Sequence, residues 1–229
     1  NAFNSTHVFD ILCLAETYLN STYAPDDIDL QIDNYTMIRA DHPMDIKRGG
    51  VCVYYKDYLA VAVLNFSLLS ECIILEIEVD NKKVILLTLY RSPSQCSETF
   101  IEFLENFEND LRTIYTLQPF LIIVLGDFNA KSSNWCSTDN SSNEGIQIDS
   151  VAFYYGLHQI ISEPTHILPN SNSCIDLIFT SQPNIVTHSG VLASLHSNCH
   201  HNIIFAKFDL FIEYPPPYSR LVWNYSKAE

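Results

Sequence analysis

The strongest chemical signal in the sequence is the apolar run 121–125, which leads directly into Gly126-Asp127-Phe128-Asn129. The apolar run predicts a buried strand, and the glycine gives the backbone freedom where that strand ends. In an extended chain, Asp127 and Asn129 point to the same side. A carboxylate and an amide placed together suit activation of a water molecule beside a bound phosphate. The same residues also fit a simple turn that ends the strand.

Two further polar side chains end apolar runs. Glu16 follows the run 11–15, and Tyr90 follows the run 84–89 and precedes a proline turn. A carboxylate is a natural ligand for Mg²⁺, which takes one or two protein carboxylates and keeps its waters. A tyrosine hydroxyl at such a place can donate to a phosphate oxygen. The alternatives are a solvent-facing glutamate and a half-buried aromatic ring.

Asp176 interrupts a predicted apolar strand. Two adjacent histidines, His200 and His201, lie at the start of the last predicted strand. Burial of an unpaired charge is costly, so Asp176 needs a partner, and a histidine is the obvious candidate. A histidine held in this way can stabilise negative charge or protonate an oxygen. Alternation in the strand that follows places His200 on the apolar side shared by Ile204 and Ala206. The alternation therefore predicts that His200, rather than His201, is the catalytic histidine. The alternative is that both histidines are structural.

These residues need a scaffold, and the chain alternates short apolar runs with turn residues. Strands are predicted at 9–15, 35–40, 51–55, 60–65, 72–79, 83–90, 120–126, 174–180, 185–192 and 201–210. One helix is predicted to open at Ser97, and a second to span 146–155. Many strands with few long helices predict two packed sheets with helices outside.

Composition restricts the class of protein. The 229 residues are 47% hydrophobic and 17% charged, which fits one large α/β domain, here 1–211. The Pro-rich segment 212–229 is interpreted as a connector. No apolar run reaches the roughly 18–20 residues of a membrane span. The seven cysteines form no Cys-x-x-Cys pair, which favours an intracellular, reducing compartment over a zinc or disulfide framework.

The formal net charge of −15 is unusual for a DNA-binding protein. Contacts with phosphate normally come from Lys and Arg, and the chain has only 12 of them. A divalent cation in an acidic site supplies local positive charge and removes part of this conflict. The acidic charge also leaves open an enzyme that acts on small phosphoesters.

The order of these motifs resembles the endonuclease/exonuclease/phosphatase superfamily from Glu16 to about Phe208. Within it, the chain is most similar to the apurinic-endonuclease-like domain of non-LTR retrotransposons of the jockey-like type. The residues that carry this second likeness are Asp10-Ile11-Leu12-Cys13-Leu14-Ala15-Glu16, Gly49-Gly50-Val51, Tyr90-Arg91-Ser92-Pro93 and Pro164-Thr165-His166. The resemblance implies a four-layer α/β/β/α sandwich of two mostly antiparallel sheets with flanking helices.

The resemblance also implies roles for the candidate residues. Glu16 would bind Mg²⁺ or Mn²⁺, and Tyr90 would contact the scissile phosphate. Asp127 would orient or deprotonate the attacking water, and Asn129 would steady the water or the phosphate. Cleavage of target DNA would leave a 3′-hydroxyl that primes a reverse transcriptase downstream in the same polyprotein. The enzyme would act as a monomer and in the nucleus.

In the same resemblance, Asp176 would hold His200, and His200 would stabilise charge on the phosphate. Arg91 and Thr165 are further candidates for contact with phosphate or DNA.

Two features depart from the superfamily pattern. An N-terminal strand with a metal-site asparagine is expected before Glu16 and is missing. Asn198 and Cys199 stand where the last motif has Ser and Asp, and a thiol is a poor ligand for Mg²⁺. A catalytically weakened or inactive copy that keeps the fold is therefore a rival hypothesis, as is a small-molecule phosphatase.

Overall fold

The computed structural model describes residues 9–24, 27–44, 46–93, 97–137, 139–194, 196 and 199–210. The predicted connector 212–229 lies outside these residues. The strands are β1 Ile11–Ala15, β2 Tyr35–Ala40, β3 Val51–Lys56, β4 Ala60–Val63, β5 Cys72–Val79, β6 Lys82–Tyr90, β7 Leu121–Asp127, β8 His158–Gln159, β9 His166–Leu168, β10 Ser171–Ser173, β11 Asp176–Thr180, β12 Val186–Leu192 and β13 Ile203–Phe208. The helices are α1 Ser97–Thr116 and α2 Asn143–Tyr154.

The main sheet has six strands in the order β4-β5-β6-β7-β11-β8, and a second sheet has the order β1-β3-β2. Strands β6 and β7 are parallel and are connected through α1, whereas their other neighbours in the main sheet pair antiparallel. A parallel pair requires such a crossover connection. Two antiparallel pairs, β12 with β13 and β9 with β10, complete the described strands.

Two apolar layers hold these elements together. The first lies between the main sheet and the helices, where α1 contributes a buried stripe at helical spacing: Phe100, Phe103, Phe107, Leu111 and Ile114. The second lies between the two sheets and includes Val51 and Val53 of β3 against Leu75 and Leu86 of the main sheet. Together they make the predicted sandwich of two mostly antiparallel sheets with flanking helices, which is confirmed.

The outer face of the β1-β3-β2 sheet is covered differently from the main sheet. Among the described residues, the helical structure next to it is the single 3-10 turn Ile28–Leu30, whose Leu30 carbonyl accepts a hydrogen bond of 2.8 Å from the hydroxyl of Tyr54. Neither helix in the described part of the chain combines the length and the apolar composition required to cross a membrane.

The predicted strands all appear, with bounds that differ by a few residues at most. Three short strands were not predicted, namely β8, β9 and β10. They are two or three residues long and consist mainly of polar residues, so they lack an apolar signal. Helix α2 begins earlier than predicted because Ser142 caps it, accepting a hydrogen bond of 3.1 Å from the backbone N–H of Gly145.

Candidate active site

Three neighbouring strands bring the first candidate residues together at one end of the main sheet. Tyr90, the last residue of β6, is the register partner of Asp127, the last residue of β7. Asp127 is in turn the partner of Asp176, the first residue of β11. Because partners across a ladder project to the same face of a sheet, the three side chains share the face toward the second sheet. Sheet pairing therefore assembles residues that are widely separated in sequence.

Gly126 permits the close approach of β6 and β7 at this point. Its φ is +149°, and a Cβ there would overlap the backbone carbonyl of Leu89 on the neighbouring strand. Any other residue would push the two strands apart where Tyr90 and Asp127 must meet. The glycine of the Gly-Asp-Phe-Asn motif is thus explained by packing of two backbones as well as by turn formation.

Asn129 fixes the carboxylate of Asp127. Its backbone N–H donates to Oδ1 of Asp127 at 2.9 Å, and its side-chain Nδ2 donates to Oδ2 at 3.0 Å. Nδ2 also donates to the carbonyl of Arg91 at 2.8 Å. The φ of Asn129 is +45°, so the predicted extended backbone at this residue is wrong. The Asx turn expected as an alternative is present, and this turn places the amide of Asn129 on the Asp127 carboxylate. A catalytic role for the pair stays a prediction.

Glu16 follows β1 and faces this group from the second sheet. The hydroxyl of Tyr90 donates to Oε1 of Glu16 at 2.6 Å, and the hydroxyl of Tyr18 donates to Oε2 at 3.1 Å. Burial and the hydrogen bond to Glu16 raise the pKa of Tyr90 far above its usual range. Tyr90 therefore remains a neutral donor that holds the carboxylate, and its contact with a scissile phosphate stays a prediction.

The prediction that Asp176 holds His200 is wrong, because the ring of His201 occupies that place. Nδ1 of His201 lies 3.0 and 3.2 Å from the two carboxylate oxygens of Asp176. The alternation of β13 does not extend back to these residues. The strand begins at Ile203, whereas His201 forms an isolated bridge with His166 of β9. This change of pairing partner turns His201 inward and leaves His200 exposed.

Asp127, Asp176 and His201 form a compact group, with one ligand-type atom of each within 4.8 Å of the others. Burial and the charge of Asp176 raise the pKa of Asp127 to about 7. The hydrogen bond with Asp176 raises the pKa of His201 to about 9. The negative charge of the two carboxylates therefore exceeds the positive charge that His201 supplies within this group.

This donor set fits a divalent cation. It offers hard carboxylate oxygens from Asp127 and Asp176, with Glu16 nearby, and Mg²⁺ and Mn²⁺ prefer such ligands. The raised pKa of Asp127 indicates two carboxylates in a poorly solvated place, a repulsion that a cation would relieve. Glu16 would hold the ion, with the carboxylates of Asp127 and Asp176 nearby.

Arg91 and Thr165, the further candidates for contact with phosphate or DNA, are both buried, with exposed fractions of 4% and 0%, and such a contact stays a prediction. Nε and Nη2 of Arg91 donate to the carbonyls of Phe128 and Asn129, each at 2.6 Å. The hydroxyl oxygen of Thr165 accepts from the backbone N–H of Asp176 at 3.0 Å. Both residues shape the loops that carry the site.

The motif position Cys199 is exposed and lies next to the group without belonging to it. Its thiol donates to the carbonyl of His201 at 3.4 Å. Its correspondence to a metal-binding carboxylate stays a prediction, and Asn198 lies outside the described residues. His166 was not singled out from the sequence, although its ring lies 4.6 Å from that of His201. The signal that could have identified His166 is its place in the segment Pro164-Thr165-His166, which supports the resemblance.

Comparison with known proteins identifies a family for this chain. A family model described as endonuclease-reverse transcriptase matches residues 84–205, just over half of the chain. The match includes Tyr90, Asp127, Asp176 and His201. A search of curated proteins found no match.

Several solved structures have the same fold. The endonuclease domain of TRAS1, a telomere-specific non-LTR retrotransposon, is 20% identical with a TM-score of 0.63, covering 78% of this chain and 82% of its own. The AP endonuclease LMAP of Leishmania major is 14% identical with a TM-score of 0.68, covering 84% and 76%. An AP endonuclease of Archaeoglobus fulgidus is 15% identical with a TM-score of 0.65, covering 88% and 89%. At these identities the likeness establishes the fold.

Proposed function

The chain belongs to the endonuclease-reverse transcriptase family, within the endonuclease/exonuclease/phosphatase superfamily, and from this premise we propose that it is a divalent-metal-dependent DNA endonuclease. The observation that carries the proposal is the convergence of Asp127, Asp176 and His201 within 4.8 Å at the end of the main sheet. Glu16 adjoins them through Tyr90. Phosphodiester hydrolysis can be catalysed by an acid–base group that lies beside a carboxylate able to bind a metal ion.

Asp127, Asn129 and His201 have separate roles in the proposed hydrolysis. Asp127 accepts the proton of the attacking water. Asn129 holds its carboxylate in place. His201, protonated at neutral pH because Asp176 raises its pKa to about 9, supplies positive charge toward the phosphate as negative charge develops. Bound Mg²⁺ or Mn²⁺ would supply Lewis-acid polarisation of a phosphate oxygen.

DNA as the substrate and a 3′-hydroxyl as the product form the finer part of the proposal. The titles of similar structures name an endonuclease domain of a non-LTR retrotransposon and AP endonucleases. By analogy, the chain would nick target DNA and provide the primer for a reverse transcriptase in the same polyprotein. Its site of action would then be the nucleus.

The test is nicking of supercoiled plasmid with Mg²⁺, with Mn²⁺ and with chelator. We expect metal-dependent nicks whose ends a DNA polymerase extends without further treatment. Asp127→Asn is expected to lower the rate on the order of 10²–10⁴-fold, because it removes the acceptor of the water proton. Glu78→Gln, at an exposed carboxylate of β5, is the matched control.

A soluble phosphoester is assayed beside the plasmid, and two outcomes of this pair of assays would reject the proposal. Hydrolysis of a soluble phosphoester without nicking of DNA would identify a small-molecule phosphatase. Failure of the folded chain to act on either substrate at any metal concentration would identify a copy that keeps the fold without catalysis.

A further inference from the structure

Glu71 is a buried carboxylate with no part in the chemistry proposed above. It lies just before β5, and 8% of it is exposed. Oε1 of its side chain accepts a hydrogen bond of 2.5 Å from the backbone N–H of Gly50. Among the described residues it forms no salt bridge. Burial of an unpaired carboxylate is costly, so its retention here requires a reason.

The side chain of Glu71 packs directly on a turn made by Gly49 and Gly50. Both glycines have left-handed backbones, with φ of +56° and +83°. A Cβ on Gly49 would overlap the Glu71 carboxylate, so only glycine allows the carboxylate this close to the turn. The position of the turn and that of Glu71 therefore depend on each other.

This turn holds the segment that follows Glu16. The carbonyl of Gly49 accepts from the N–H of Tyr18 at 2.9 Å, and that of Gly50 accepts from the N–H of Thr17 at 3.3 Å. Glu16 and Tyr18 both have left-handed backbones, with φ of +52° and +55°. Such conformations are unfavourable for residues with side chains and persist only where the surroundings impose them.

Glu71 also holds the other residue that binds Glu16. Its backbone carbonyl accepts from the N–H of Tyr90 at 3.0 Å. The hydroxyls of Tyr90 and Tyr18 donate to the two carboxylate oxygens of Glu16. Glu71 therefore contacts both tyrosines that bind Glu16. Its main chain binds Tyr90 directly, and its side chain binds the glycine turn that in turn binds Tyr18.

We propose that Glu71 is a positioning residue that sets the carboxylate of Glu16 in place through the Gly49-Gly50 turn. The inference rests on the proposed function, in which Glu16 holds the divalent cation. Partners behind a metal ligand orient it, and their loss commonly lowers metal affinity about 10–100-fold. The side chain acts as an acceptor, so a glutamine should substitute for most of its effect.

The first experiment measures Mn²⁺ binding to the full chain by electron paramagnetic resonance of the free ion, beside nicking as a function of Mn²⁺. Glu71→Ala should weaken binding about 10–100-fold and raise the half-saturating Mn²⁺ by a similar factor. Its nicking rate at saturating Mn²⁺ should return close to the parental value. Glu71→Gln should restore most of the affinity, and Glu78→Ala should match the parent.

The second experiment measures amide hydrogen exchange at Thr17 and Tyr18 in the absence of metal. Glu71→Ala should accelerate exchange at both amides, because their acceptors belong to the glycine turn, whereas Glu78→Ala should not. Unchanged exchange in Glu71→Ala, or parental Mn²⁺ affinity in that variant, would overturn the inference. If Glu16→Gln binds Mn²⁺ as the parent does while exchange still responds to Glu71, the metal assignment in the proposed function fails and the positioning role stands.

Discussion

His200 and His201 are neighbours in the sequence but differ in burial and in hydrogen bonding. His201 is half-buried, and its Nδ1 lies 3.0 Å from a carboxylate oxygen of Asp176. The ring of His200 is exposed, and its backbone carbonyl accepts from the N–H of Ile167. Because Nδ1 of His201 is committed to Asp176, its Nε2 remains for a ligand. His201 is therefore the histidine that fits the proposed mechanism.

We predict that His201→Ala lowers the rate of plasmid nicking on the order of 10²–10⁴-fold, because it removes the cation that faces the phosphate. His200→Ala should stay close to the parental rate. Single-turnover rates of variants with matched thermal stability are the measurement. An equal loss in both variants, or a larger loss in His200→Ala, would contradict the assignment.

The pKa shifts of His201 and Asp127 predict a pH dependence of stability in chelator. The pKa of His201 is raised to about 9 from about 6.5 in an unfolded chain. Its pairing with Asp176 therefore stabilises the fold fully below pH ~6.5 and loses this effect as pH rises through ~9. The pKa of Asp127 is raised to about 7, so a penalty develops as pH rises from ~3.9 to ~7.

Asp176→Asn tests this linkage, because Asp176 contributes to both shifts. We predict that the parent exceeds the variant in melting temperature by the most near pH 6. The difference should shrink as pH approaches 9.5, where His201 is neutral in both. Thermal melts across this range are the measurement, with Glu78→Gln as the control. A difference that does not change with pH would show that Asp176 does not hold the His201 proton.

At the scale of elements, Thr165 joins the β9–β10 hairpin to β11. Its hydroxyl oxygen accepts from two backbone amides, Ile175 at 3.1 Å and Asp176 at 3.0 Å. Its carbonyl accepts from the N–H of Asn202 at 2.7 Å, next to His201. One buried residue therefore sets the start of β11 and the segment that carries the histidine.

We predict that Thr165→Val destabilises the fold by about 1–3 kcal/mol, because it leaves buried amides without an acceptor in a side chain of the same shape. It should also lower the nicking rate, since one of these amides belongs to Asp176. Thr165→Ser, which keeps the hydroxyl, should recover most of both. Urea unfolding and nicking rates are the measurements, and a Thr165→Ser variant as impaired as Thr165→Val would contradict the role of the hydroxyl.

At the scale of the whole molecule, the net charge of −15 leaves few cations for DNA. Arg39 and Arg91 have guanidinium groups bonded to backbone carbonyls, and Lys83 pairs with Glu76 at 3.1 Å. Lys131 differs from these, because it lies two residues after Asn129 and its charge contributes to the lowered pKa of His166, whose first cause is burial. Lys131 is thus a cation near the proposed catalytic group.

We predict that Lys131→Ala weakens DNA binding by the inactive Asp127→Asn variant and reduces the salt slope of log K by roughly 1, as expected for the loss of one phosphate contact. Lys207→Ala, at an exposed lysine toward the far end of β13, is the matched control. Fluorescence anisotropy at several salt concentrations is the measurement. The salt slope is compared between Asp127→Asn alone, Asp127→Asn with Lys131→Ala and Asp127→Asn with Lys207→Ala. The same slope in all three proteins would exclude Lys131 from the DNA interface.

The sequence by itself predicted ten of the thirteen strands in the described residues, both helices and several of the residues that meet at the candidate site. Apolar residues make up most of β5 and β7, so local composition predicts strands at 72–79 and 120–126, close to the observed bounds. The polar ends of such runs identified Glu16, Tyr90, Asp127 and Asp176 because polar groups at the ends of buried strands are conspicuous. This information is local, and it survives without knowledge of the pairing between strands.

Only the tertiary structure decided which histidine faces Asp176, that Arg91 and Thr165 are buried, and that the Glu71 carboxylate binds the Gly50 amide. Each depends on contacts between residues distant in sequence, such as the bridge of His166 with His201 and the bond from Gly50 to Glu71. A change of one residue in register reverses the side to which a side chain points. Such a change leaves composition and periodicity unaltered, so it becomes visible only when the strands are paired.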